Sequence, residues 1–231
     1  MRNATDVTIL LDRSGSMMNV WSDMIGGING FVEEQKKADG DCAVSFILFD
    51  SINDHEIVCE SRNVREFSPV AISDYRPRGG TPLIDAMAKA IQCTGERLRK
   101  IPEEHRPNKV IFICVTDGGE NESRTFTRDT LASMITHQRE QYSWEFMFLG
   151  ANFDVFGETS SYGIPMMAAS SYHYSSAGVS NAFMAAASNV RSYRSGKRMT
   201  ASFTAAQQDT LSSADVKLDE AALAAVDDST N

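Results

Sequence analysis

Two patterns alternate along this chain: short, largely apolar runs, and longer stretches in which apolar residues recur at helical spacing. The runs are residues 7–11, 43–49, 110–115 and 144–149. β-Branched and aliphatic residues without polar alternation predict strands buried on both faces, the kind that parallel sheets covered by helices contain. Between them, residues 19–37 place Val20, Met24, Ile28, Phe31 and Val32 on one helical face. Residues 82–100 do the same with Leu83, Ala86, Met87, Ala90, Ile91 and Leu98, and 179–193 with Phe183, Met184, Ala187 and Val190. Further helices are predicted over 127–141 and 155–162, and a short strand over 165–168. Residues 56–59 follow the run 43–49 across the turn at 50–54, which predicts a hairpin and hence an antiparallel edge strand. The expected class is α/β: a Rossmann-like, doubly wound, mostly parallel sheet with one antiparallel edge strand and helices on both faces.

Gly26, Gly27 and Gly30 lie inside the first helix, where each costs up to about 1 kcal/mol relative to alanine. They read as close packing against the sheet, because a phosphate loop carries its glycines ahead of the helix, where N–H groups are free. Residues 64–75 are polar, interrupted by Pro69, and read as irregular. Beyond Ser195 the composition shifts to Ala, Ser, Thr, Asp and Gln. This predicts one domain over 1–195 and a mobile tail over 196–231, within which 218–226 has the pattern of a short amphipathic helix.

Charge and cysteine usage narrow the function classes. The 231 residues suffice for one substantial α/β domain, and 22 basic against 31 acidic residues give a net charge of -9. That balance argues against a binder of phosphate backbones, so nucleic acid is not an expected partner. The start of the chain lacks the apolar segment of a signal peptide, and no run reaches membrane-spanning length, so a cytoplasmic protein without membrane contact is expected. Cys42, Cys59, Cys93 and Cys114 show no CxxC spacing and read as buried free thiols.

Candidate chemistry gathers at the carboxyl ends of the runs. Asp12-Arg13-Ser14-Gly15-Ser16 closes the first, with a carboxylate and two hydroxyls at alternate positions. Alone, the loop reads more readily as an ordinary polar turn or helix cap than as a metal site. Arg78-Gly79-Gly80-Thr81-Pro82-Leu83 adds a glycine-rich turn leading into a helix, and Val110 to Gly119 repeats the opening pattern by ending on Asp117. If those strands are neighbours, Asp12, Ser14, Ser16, Thr81 and Asp117 form a cluster of hard oxygen donors suited to Mg²⁺, Mn²⁺ or Ca²⁺. Asp50 and Asp54 read as a solvated turn rather than a second metal pair.

On these residues the sequence resembles the von Willebrand factor A domains over roughly residues 5–195, and is most similar to small single-domain members from the cytosol of bacteria and their phages. The resemblance implies that Asp12, Ser14, Ser16, Thr81 and Asp117 form a metal-ion-dependent adhesion site (MIDAS), with the hydroxyls bound directly and one or both aspartates through water. Mg²⁺, or Mn²⁺ in its place, is expected over Ca²⁺, since a compact site that keeps waters suits the smaller ion. The implied function is a protein-binding module whose metal takes an Asp or Glu of a partner, in the manner of A domains that work beside ATPases or in stress and phage-related complexes. Glu120, Asn121, Glu122 and Asn152 are candidates for a partner-binding rim. The alternative is a Mg²⁺-dependent phosphohydrolase. Those that form an aspartyl-phosphate want a second acid two residues on, where this chain has Ser14, and no histidine or lysine is evident beside the strand ends. No enzymatic activity is therefore expected.

Overall fold

A computed structural model describes residues 4–213. Its strands are β1 (Ala4–Asp12), β2 (Asp41–Phe49), β3 (Glu56–Asn63), β4 (Lys109–Thr116), β5 (Glu145–Gly150) and β6 (Ala169–Ser171). Its helices are α1 (Trp21–Lys36), α2 (Leu83–Arg99), α3 (Arg128–Tyr142), α4 (Val155–Ser161), α5 (Ser176–Arg194) and α6 (Ala205–Ser212). The strands form one sheet in the order β3-β2-β1-β4-β5-β6. All neighbours are parallel except the β2–β3 hairpin at the edge. The expected fold class is thus observed.

Side-chain alternation explains the apolar runs. Val7, Ile9 and Leu11, with Ile111, Ile113 and Val115, face the layer of α1 and α5. Leu10, Phe112, Cys114, Phe146 and Phe148 face α2, α3 and α4. Both faces of each central strand are dry, so apolar residues fill most positions, with buried polar residues such as Thr8 and Thr116 as exceptions. From β1 the chain turns first to β2 on one side and later reaches β4 on the other. The boundary between β1 and β4 is therefore the topological switch point, the crevice where open α/β sheets place ligands.

Several local expectations are corrected. Residues 165–168 are not a strand: Pro165 leads into a 3-10 turn at Met166–Ala168, and pairing begins only at Ala169, opposite Phe148. β3 continues to Asn63, well past the expected end, with its register interrupted between Val44 and Ile47 of its partner. The tail expected from residue 196 is docked at least to its described end. Ala201, Phe203 and Leu211 are buried in the α1/α5 layer. Thr204 and Gln207 form a reciprocal capping box at the start of α6. The Gln208 amide donates to the carbonyls of Ala169 (2.7 Å) and Met166 (2.9 Å), covering the β6 edge. Polar composition hid these few apolar anchors. The helix expected over 218–226 lies outside the described residues. Cys42 and Cys114 are buried thiols, while Cys59 and Cys93 are half-buried thiols. No helix among the described residues is long and apolar enough to cross a membrane.

The α1 glycines split. Only Gly27 is in close contact, and with a helix rather than the sheet: a Cβ there would lie 2.2 Å from the Phe183 ring of α5. At Gly26 and Gly30 a Cβ would meet nothing within 4 Å. Gly27→Ala is therefore expected to destabilise by about 1–3 kcal/mol through overpacking. Gly26→Ala is expected to stabilise by up to about 1 kcal/mol through helix propensity. Urea unfolding of the two variants checks the opposite signs.

Candidate metal centre

Asp12 ends β1 and is fully buried. Its Oδ1 accepts the N–H of Ser14 (2.6 Å), which bends the loop back over the strand end, and its Oδ2 accepts from the Thr116 hydroxyl (2.7 Å) at the end of β4. Within the 3-10 turn Gly15–Asn19, the Ser16 hydroxyl donates to Asp117 Oδ1 (2.6 Å) and lies 3.0 Å from that of Ser14. Asp12, Ser14, Ser16 and Asp117 are thus brought together through the neighbouring ends of β1 and β4.

Thr81 arrives on a separate loop that is clamped from two sides. Its N–H donates to Asn121 Oδ1 (2.8 Å) and its carbonyl accepts from Asn121 N (3.1 Å). Gly80 makes the same two-way exchange with Ser51. Gly79 takes φ +68, a conformation open to glycine at no steric cost, and its carbonyl accepts from Gly15 N (3.0 Å). The buried Thr81 hydroxyl lies 3.9 Å from where a Cβ on Gly118 would stand, beside Asp117. Thr81 thus stands beside the residue that follows Asp117, next to the crevice shared by the other four expected donors.

The electrostatics of that crevice fit a cation. Burial pushes the Asp12 carboxyl up to about 7 against its bonds from Thr116 and Ser14, and the Asp117 charge adds to the rise. Burial raises Asp117 as well. Asp117 Oδ2 is buried with no hydrogen-bond partner. Among the described residues no basic side chain pairs with either carboxylate: Arg13, although between Asp12 and Ser14, points to Asp50 (2.5 Å) and Glu56 (2.6 Å). No cluster of three or more His, Cys, Asp or Glu occurs among the described residues. The donor set is two carboxylates and neutral hydroxyls, a hard-oxygen set for Mg²⁺ or Mn²⁺.

The expected rim resolves into supports and a remainder. Glu120 is a structural cap, not a free rim acid: its carboxylate accepts from Ile84 N (2.8 Å) at the start of α2 and from Ser123 N (2.7 Å) and Oγ (2.6 Å). Asp85 answers from α2 by accepting from Arg124 N (2.7 Å) and Phe126 N (2.7 Å). Asn121 is the clamp on Thr81. Glu122 is at the surface beside Arg124 (3.3 Å). Asn152 is an exposed turn residue at φ 66, a left-handed conformation that asparagine tolerates. Asp50, read as a solvated turn residue, is wholly buried beneath Arg13. Sequence reasoning missed Thr116, although a hydroxyl directly before a strand-end aspartate is a usable signal. It also missed Tyr174, whose hydroxyl reaches Ser16 O (2.6 Å), whereas that of Tyr172 ends on the β4 backbone at Thr116 O (3.1 Å).

No protein-family model and no curated protein matches the sequence. Solved structures do match. Manganese-loaded TRAP of Plasmodium vivax is 18% identical with a TM-score of 0.54, over 75% of this chain and 70% of that one. A von Willebrand factor type A protein of Catenulispora acidiphila is 15% identical at 0.57, over 83% and 43%. Proximal thread matrix protein 1 of the mussel byssus, with a zinc-occupied MIDAS motif, is 16% identical at 0.51, over 72% and 41%. This chain spans less than half the length of the last two. At such identities the likeness shows the fold alone, and the fold of this chain is that of the von Willebrand factor A domains.

Proposed function

We propose that this chain is a metal-dependent protein-binding module, with Asp12, Ser14, Ser16, Thr81 and Asp117 holding Mg²⁺ or Mn²⁺ and an Asp or Glu of a partner protein completing the site. The observation that carries this reading is the pair of buried carboxylates at the switch point, with no counter-charge among the described residues and with Asp117 Oδ2 unpartnered there. A divalent cation there would supply an electrophilic centre with room for an outside carboxylate. Ser14, Ser16 and Thr81 are neutral and cancel little of a divalent charge. The Asn121 and Ser51 clamps hold the Thr81 loop in place before any partner arrives, which lowers the ordering cost of binding. Recognition through a cation also lets a chain of net charge -9 recruit an acidic surface.

The manganese named for the TRAP structure and the zinc-occupied MIDAS motif named for the byssus structure support a divalent ion here. The resemblance to bacterial and phage A domains supports a cytoplasmic complex, with an ATPase or a stress- or phage-related assembly as the partner. The phosphohydrolase alternative wants a general acid or a nucleophile beside the cluster. His173, the histidine of the neighbouring β6–α5 connection, is engaged with Ser175 Oγ at 3.0 Å.

Affinity capture from a lysate of the source cells separates the two. A protein retained with Mg²⁺, and lost both with chelator and with Asp12→Ala, is the expected result. Retention indifferent to chelator and mutation would sink the reading. Mg²⁺-dependent turnover of a generic phosphoester that Asp12→Ala abolishes would favour the enzyme.

A further inference from the structure

The connection from β6 to α5 carries two tyrosines two positions apart, and both hydroxyls end on the backbone of the metal loops. Tyr172 is buried and donates to the carbonyl of Thr116 at 3.1 Å, one residue before Asp117. Tyr174 reaches the other loop and donates to the carbonyl of Ser16 at 2.6 Å.

The two bonds differ in what they hold. Thr116 belongs to β4, whose backbone is fixed by pairing with β1 and β5, so Tyr172 adds to a position already determined. Ser16 is exposed and sits in a 3-10 turn, a conformation with poor hydrogen-bond geometry of its own. Its side chain is the one that bridges to Asp117. The chain that carries Tyr174 is in turn pinned on either side of it. His173 N donates to Leu211 O of α6 (2.8 Å), and Ser176 Oγ donates to Asp23 of α1 (2.8 Å).

We infer that Tyr174 is a positioning residue of the metal centre: its hydrogen bond to the Ser16 carbonyl holds the Ser16 hydroxyl in place, so that a binding cation does not have to order the turn. This rests on the reading that Asp12, Ser14, Ser16, Thr81 and Asp117 hold a divalent ion. An ordered turn removes a cost from binding without adding a ligand.

The experiment is a calorimetric Mn²⁺ titration of the full chain as wild type, Tyr174→Phe, Tyr172→Phe and Asp12→Asn, paired with tyrosine ultraviolet difference spectra on adding Mg²⁺. Tyr174→Phe is expected to weaken Mn²⁺ binding by roughly two- to tenfold, the worth of one hydrogen bond. It should also lose the metal-induced tyrosine difference band. Tyr172→Phe is expected to keep the wild-type affinity. Wild-type affinity and an unchanged band in Tyr174→Phe would overturn the inference. Equal weakening by both phenylalanine variants would overturn it too, since that is general loosening. Those failures leave the metal reading intact as long as Asp12→Asn abolishes binding. A wild-type chain that binds no Mn²⁺ would remove both.

Discussion

Asp12→Asn is expected to abolish the rise in melting temperature that Mg²⁺ gives the wild-type chain, while leaving the metal-free protein at least as stable as before. The two halves of this result come from one fact, the burial of two carboxylates with no counter-charge among the described residues. With the ion bound, the folded state gains by mass action: at a concentration one hundred times Kd the gain is about 2.7 kcal/mol. In a chain of this size that corresponds to roughly 5–10 °C in Tm. Without the ion, Asp12 and Asp117 repel and each carries the cost of desolvation. Asparagine keeps an acceptor for Ser14 N and removes that charge; it gives up the acceptor for the Thr116 hydroxyl, which retains Gly118 O at 2.8 Å, so relief of the buried charge is expected to outweigh the loss. Scanning fluorimetry of both proteins with Mg²⁺ and with chelator measures the difference. A variant that keeps the whole Mg²⁺ increment would exclude Asp12 from the site. A variant that unfolds without metal would mean that its carboxylate has a structural role beyond its bonds to Ser14 and Thr116.

Legibility in the sequence followed the range of the interactions. β1 and β4 were plain because both their faces are buried, so composition alone marks them, whatever the register. The Asp12-to-Ser16 turn was plain because its donors are local, and the strand order then brings Asp117 to it. What was not legible depends on contacts between loops distant in sequence. Glu120 and Glu122 look alike in the chain, yet only Glu120 meets the free N–H groups at the start of α2, which turns a rim acid into a cap. Tyr174 carries no local sign that its hydroxyl will land 158 positions away on Ser16. Phe203 and Leu211 are too sparse among small polar residues to announce a docked segment. Asp50 was misread for a related reason: aspartate suits an exposed turn equally well, and only the folded chain shows that the turn closes over Arg13.

That buried turn carries the second large expectation. Asp50 Oδ2 accepts from Arg13 Nε (2.8 Å), Arg13 Nη2 (2.5 Å) and Arg78 Nε (3.1 Å), while Oδ1 accepts from Ile52 N (2.7 Å) and Asn53 N (3.0 Å). Removing one member of a buried pair leaves the other charge stranded and costs about 3–5 kcal/mol. Because Glu56 still pairs with Arg13, Asp50→Asn is expected toward the lower end of that range. The exposed pair of Lys89 with Asp54 makes the contrast, since its loss should cost no more than about 1 kcal/mol. Burial pushes the Asp50 carboxyl up, but the Asn53 and Ile52 N–H groups and the two guanidinium groups outweigh it and hold it below the usual range. Its contribution is therefore fully present above about pH 4, the unfolded value, and is lost as pH falls through the lower folded value. Urea unfolding should show a wide gap between wild type and Asp50→Asn at neutral pH that narrows on acidification below pH ~4. A gap that does not change with pH would mean that the carboxylate acts by shape and not by charge. Since Arg13 stands between Asp12 and Ser14, the variant should also bind Mn²⁺ more weakly than Lys89→Ala does, which ties the stability of the hairpin turn to the order of the metal loop.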